Sequence, residues 1–178
     1  MEFIETKLKG AFLVSIRKIE DRRGFFARGW CEEELASHGL TAHMVQLNVA
    51  FSSTKGTLRG LHYQAPPYQE AKLVRCTRGA IFDVMVDLRP ESPTHRQWFG
   101  AELSADNALM LYVPEGFAHG YQTLVDNTEM YYLTSARYAA DAASGVRYND
   151  PAFDISWPLA VSVISDADAG WPDYVVSL

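Results

Sequence analysis

Arg59, His62 and Gln64 lie within one short stretch, RGLHYQ. An imidazole can move protons near neutral pH. A guanidinium can grip a phosphate or carboxylate through two parallel bonds. Lys72 follows on the next run, QEAKLVRCTRG. A strand that only filled a core would not carry so many polar heads. Strict alternation in an extended strand puts Arg59 and His62 on opposite faces. Gly60, between them, is where a bulge could re-aim one of the two. A single histidine in a strand is commonly structural, so its neighbours carry the argument.

Three further stretches hold chemistry-bearing residues. In VPEGFAHGYQ, Pro114 and Gly116 form a turn that presents His119 at the start of a strand. In TEMYYLTSARY, Met130, Tyr132 and Thr134 share a face if the strand is regular. A tyrosine there either packs or donates a proton. In DRRGFFARGW, Arg22 and Arg23 beside Gly24 are either a diphosphate clamp or a solvated turn.

These residues need elements to position them. Runs at 12–16, 45–51, 57–63, 71–76, 80–88, 97–103, 109–113, 120–124 and 129–134 read as strands. Turn signals such as DRRG, STKG, TRG, SADN, PEG and VDN bound them. Residues 31–38 read as a short helix that Gly39 ends. Many short, evenly spaced strands predict an all-β sandwich or barrel. In the run 80–88, one face is Phe82, Val84, Val86 and Leu88, and the other is Ile81, Asp83, Met85 and Asp87. Carboxylates on the second face suit a wet cavity, but the simpler expectation is that this face meets solvent. The 178 residues fit one domain, 1–178, with a sizeable core.

Composition narrows the function class. No apolar run reaches the length of a membrane span, and MEFIETKLKG lacks a signal-peptide core. A cytoplasmic protein is expected. Cys31 and Cys76 are too few for a disulfide scaffold and are expected to be free thiols. A net charge of −6 argues against general nucleic-acid binding. An anionic ligand would need a local basic pocket. Neither a dinucleotide fingerprint nor a P-loop is present.

Gly56, His62, Glu70 and Gly79, followed by VPEGFAHGYQ, resemble the paired motifs of the cupin jelly roll, or double-stranded β-helix. In metal-binding cupins the first motif supplies two histidines one residue apart and a glutamate, and the second supplies another histidine. Here Gln64 stands where the second histidine would be, and an amide is a poor substitute for imidazole on a transition metal. The expectation is a cupin with no metal and no cofactor, whose histidines are free to move protons.

The resemblance narrows further. DRRGFF, LRGLHYQ, KLVRCTRGAIFDVMVDLRPESPT, VPEGFAHGY, YYLTSARY and GVRYNDPAFDISWP occur in the order found in the dTDP-4-dehydrorhamnose 3,5-epimerase family, with ISDAD as a remnant of its C-terminal segment. The resemblance implies a metal-independent homodimer acting on a nucleotide-linked 4-keto-6-deoxyhexose. It implies His62 as base, Asp168 as its supporting carboxylate, Tyr132 as acid on the opposite face, and Lys72 beside the developing enolate. It also implies ligand contacts from Arg23, Gln46, Asn48, Arg59 and His119, and stacking of the nucleotide base on Tyr138. Arg28 falls at a nucleotide-contacting position where the family usually has glutamate. Leu133, Ala143 and Ala167 also depart from the family's recognition residues, which implies a changed nucleotide preference. The alternatives are an epimerase acting at C3 or C5 alone on a CDP-, UDP- or GDP-sugar, a metal-dependent cupin enzyme, and a non-catalytic sugar-binding cupin.

Overall fold

Strands dominate because β-branched and aromatic residues alternate with small or polar ones over short runs, and glycine-containing turns end each run. The computed structural model describes residues 1–175. In chain order the elements are β1 (Glu2–Glu5), β2 (Phe12–Ser15), β3 (Ile19–Asp21), β4 (Gly24–Phe26), α1 (Glu32–Ser37), β5 (Gln46–Ser52), β6 (Leu58–Gln64) and β7 (Lys72–Arg78). They continue with β8 (Ala80–Asp87), β9 (Trp98–Ser104), β10 (Leu109–Val113), β11 (Phe117–Thr123), β12 (Thr128–Thr134), β13 (Ala143–Gly145) and α2 (Asp166–Ala169).

Two antiparallel sheets face each other. One has the order β1-β2-β10-β7-β12-β5, and the other β13-β6-β11-β8-β9. This is the expected all-β jelly roll, with two short helices at its periphery. Each of the nine runs read from the sequence contains part of a strand. The helix read at 31–38 is α1. Four features were not read: β1, β13, α2, and the β3–β4 hairpin around DRRG, which forms a separate sheet hydrogen-bonded to neither of the others.

Between the sheets, Val74, Cys76, Ile81, Met85, Leu111, Val113, Tyr121 and Met130 form one apolar cluster. A second cluster lies outside the six-stranded sheet, where α1 contributes Leu35. A third lies outside the five-stranded sheet, where Val146, Phe153 and Trp157 from the C-terminal segment cover Leu61, Val84 and Val86. The solvent-facing expectation for Ile81, Asp83, Met85 and Asp87 is therefore overturned: all four are fully buried. The other face of β8 is covered as well, so both faces are withdrawn from water. Its two carboxylates persist because each is paired. Asp83 meets His119, and Asp87 meets Arg89, Ser92 and Thr94.

Cys31 and Cys76 are free. Burial pushes the Cys76 thiol up to about 11, which leaves it unreactive near neutral pH. Among the described residues, no helix is long and apolar enough to cross a membrane.

Candidate active site

The sheet register decides where the polar residues of β6 point. His119 on β11 lies opposite His62, while Tyr121 lies opposite Arg59. Gly120 alone on β11 thus faces both Gly60 and Leu61 on β6, so β6 carries a bulge. Gly60 supplies it at φ +116°, and a Cβ there would sit 2.6 Å from Gly120 Cα. Only glycine fits so close an approach. The bulge cancels strict alternation and brings Arg59 and His62 to the same, interior face.

His62 is held from below. Its Nε2 lies 2.7 Å from Asp168 Oδ1, and Asp168 Oδ2 accepts the Gly60 N–H at 3.0 Å. Asp168 is delivered by α2, where Ser165 caps the helix by accepting the Asp168 N–H. Burial raises the Asp168 pKa, but the bonds from His62 and Gly60 more than offset this. The carboxyl is held below its ordinary value and stays ionised. An ionised carboxylate needs a donor, so Nε2 carries the imidazole proton and Nδ1 keeps its lone pair.

The facing wall comes from the six-stranded sheet. Tyr132 on β12 is the cross-strand partner of Asn48 on β5. Gln46 Nε2 donates to Asn48 Oδ1 at 2.8 Å, and Gln46 Oε1 accepts the Tyr138 N–H at 3.3 Å. Burial, and then the nearby charge of Glu70, raise the Tyr132 phenol above its ordinary value, so it is a protonated acid at neutral pH.

Two cations occupy the space between the walls. Lys72 is 6% exposed, lies 3.4 Å from the His62 carbonyl and 3.2 Å from Glu70 Oε1, and its ammonium is 6.0 Å over the Tyr132 ring. Arg59 donates to Ser52 Oγ and to the Phe51 carbonyl. His119 is paired at 2.9 Å with Asp83, whose second oxygen has no partner.

Gln64, at the position of a cupin metal ligand, is committed to the backbone. It donates to the Tyr68 and Arg137 carbonyls and accepts the Ala139 N–H. Among the described residues, no three His, Cys, Asp or Glu side chains gather as a metal-holding group.

Not every sequence candidate joins this cavity. Arg23 is exposed on the β3–β4 hairpin and bonded to Asp21. Arg28 pairs with Glu34 of α1 at 2.8 Å. Leu133 packs into the cluster outside the six-stranded sheet, so its departure from the family pattern does not bear on the cavity. Tyr138 is 67% exposed. Ala143 pairs with Gln64 on β6, and Ala167 precedes Asp168 on α2.

Sequence reasoning singled out Glu70 and Asp83 only as a metal-ligand position and a strand-face carboxylate. Their pairing with Lys72 and His119 depends on the sheet register. A separate cleft of about 660 Å³, lined by Tyr63, Val146, Pro172 and Tyr174 among others, lies beneath the C-terminal segment and contains none of His62, Lys72, Tyr132 and Asp168.

With this geometry in hand, the similarities to known proteins are specific. The family model described as dTDP-4-dehydrorhamnose 3,5-epimerase matches residues 5–175. A protein of that name from Sinorhizobium fredii (strain NBRC 101917 / NGR234) is 42% identical over 173 residues, covering 97% of this chain and 89% of the relative. The Bacillus anthracis str. Ames dTDP-4-dehydrorhamnose 3,5-epimerase, solved with TDP and PPi bound, superposes with a TM-score of 0.94 at 44% identity, over 97% of this chain and 99% of that one. A Legionella pneumophila 3,5-epimerase in complex with dTDP-4-keto-L-rhamnose superposes with a TM-score of 0.88 at 36% identity, over 94% of this chain and 89% of that one.

Proposed function

The chain belongs to the dTDP-4-dehydrorhamnose 3,5-epimerase family, and we propose how its own residues carry out epimerisation of a dTDP-linked 4-keto-6-deoxyhexose. The observation that carries this reading is the placement of a supported histidine and a protonated tyrosine on opposing sheets, with Lys72 between them.

The 4-ketone acidifies the protons at C3 and C5. His62 Nδ1 takes one of them, and Asp168 stabilises the imidazolium that forms. The electron pair moves through the enolate to O4, where Lys72 supplies a positive charge. Tyr132 returns a proton to the same carbon from the other side, which inverts it. His62 has then gained a proton and Tyr132 has lost one, and exchange with solvent resets both. Arg59 holds the diphosphate, His119, Gln46 and Asn48 hold the sugar and nucleoside, and the exposed ring of Tyr138 stacks on the base.

The bound ligands of the Bacillus anthracis and Legionella pneumophila relatives support dTDP as the nucleotide. The engagement of Arg28 with Glu34 removes the main reason to expect a different one. The reading places the enzyme in the cytoplasm and makes it a homodimer. Ile19, Phe25 and Phe26 of the hairpin, and Leu47, Val49 and Phe51 on the outer face of edge strand β5, are exposed. That face is apolar enough to need a partner. In such a dimer the hairpin carries Arg23 to the second copy's cavity.

NMR of dTDP-4-keto-6-deoxyglucose incubated with the enzyme in D2O tests the reading. Inverted product with deuterium at C3 and C5 is expected. Deuterium at one carbon alone would make it a monofunctional epimerase, and unchanged substrate would overturn the proposal.

A further inference from the structure

Glu70 lies between β6 and β7 with its side chain 12% exposed. A carboxylate so far from water is costly unless it is matched. It is matched by Lys72, whose Nζ is 3.2 Å from Oε1, while Gln64 Nε2 approaches Oε2 at 3.5 Å. The proton transfers described above do not require this carboxylate. An unpaired Lys72 would attract enolate charge more strongly. Its presence therefore has to be explained by what it does before the enolate forms.

Two features define that role. Lys72 has four rotatable side-chain bonds and a strongly hydrated head, yet here its ammonium is fixed between Glu70 and the His62 carbonyl. Among the described residues, Glu70 is also the one carboxylate facing Tyr132 that no histidine takes. Lys72 comes from β7, Glu70 from the preceding loop, and His62 and Arg59 from β6. Tyr121 comes from β11, and the β5 neighbours Gln46 and Asn48 are uncharged. Asp168 and Asp83 are each taken by a histidine. Glu70 is thus the carboxylate that opposes the pull of Arg59 on the phenol.

We propose that Glu70 is a positioning residue that holds the Lys72 ammonium between the His62 strand and the Tyr132 ring until the enolate oxygen draws it away. The inference rests on the roles of Lys72 and Tyr132 given under the proposed function. Burial first, and the Glu70 charge second, raise the Tyr132 phenol above its ordinary value. Removing the Glu70 charge removes one of those causes, so the phenol then ionises at lower pH.

The test is Glu70→Gln in the full chain, which keeps the size of the side chain and removes the charge. KM is expected to stay within about twofold and kcat to fall about tenfold or more. The alkaline limb of the kcat profile is expected to move by about half a pH unit or more toward neutrality. A merely structural residue would lower the folded fraction without moving that limb. In a double-mutant cycle, Glu70→Gln is expected to cost much less on a Lys72→Met background than in the parent. Glu70→Asp keeps the charge but loses reach, so it should hold the limb in place while lowering kcat.

A glutamine variant with parental kcat and limb would overturn the proposal, as would an equal loss on both backgrounds. An aspartate variant with parental kcat would overturn the positioning role. If His62→Ala and Lys72→Met turned over at the parental rate, the underlying functional reading would fail instead. If both were inactive beside a parent-like Glu70→Gln, the role of Glu70 alone would fail.

Discussion

His62 and Asp168 are separated by 106 positions in sequence and by 2.7 Å in the fold. The pairing sets the imidazole tautomer, and the lowered Asp168 pKa keeps the carboxylate ionised at neutral pH. Across the cavity the phenol is tuned the opposite way, so it stays protonated through neutral pH. Asp168 is thereby fixed as an anion behind His62, and Tyr132 as a proton donor on the facing sheet. The account predicts a selective loss on the acid side. Inversion needs both groups, but exchange with solvent needs only the base. Tyr132→Phe should therefore lose about 10²-fold or more in epimerised product while retaining most deuterium exchange at the first carbon, read by NMR. Equal loss of both would make Tyr132 a packing residue. At this scale the residue types were legible. RGLHYQ stood out because its polar density is out of place in a core strand. The partners of Lys72 and His119 were not legible, because Glu70 and Asp83 become neighbours only through sheet register.

Strand β6 shows how one backbone irregularity serves the site. Plain alternation would have sent either Arg59 or His62 outward. The Gly60 bulge turns both inward, and its N–H also fixes Asp168. Gly60→Ala should disturb all three at once. A Cβ would meet Gly120 Cα at 2.6 Å and the His119 carbonyl at 2.8 Å, at a φ of +116°. The strain alone costs about 1–3 kcal/mol. Thermal unfolding should show a clear drop in Tm, and kcat in the fraction that remains folded should fall further than the stability loss explains. A variant with parental kcat would show that the bulge does not aim His62. The sequence pointed to this glycine as a possible bulge, but it left open which side chain would turn. The β8 expectation failed for a related reason. Periodicity marks two faces, but it cannot tell that the C-terminal segment covers one of them and the facing sheet covers the other.

The whole molecule is two sheets that carry His62 and Tyr132 on opposing walls, plus a hairpin and an edge strand left apolar on the outside. The order of motifs made the family legible without any one of them being decisive. The β3–β4 hairpin was read only as a turn, because three-residue strands carry too little alternation to register. Its exposed Phe25 and Phe26, with Val49 on β5, place the next prediction at this scale. Val49→Glu should convert a dimer into a species of 19.9 kDa by sedimentation and weaken substrate binding if Arg23 serves the partner's cavity. A parent that sediments as a monomer would refute the dimer. The central claim is that one wall removes the proton and the other returns it. Its most direct measurement is deuterium incorporation at C3 and C5 of dTDP-4-keto-6-deoxyglucose in D2O, comparing the parent with a folded His62→Ala variant. The account predicts incorporation by the parent and a loss of about 10²- to 10⁴-fold at both carbons in the variant. Near-parental exchange without His62 would contradict it.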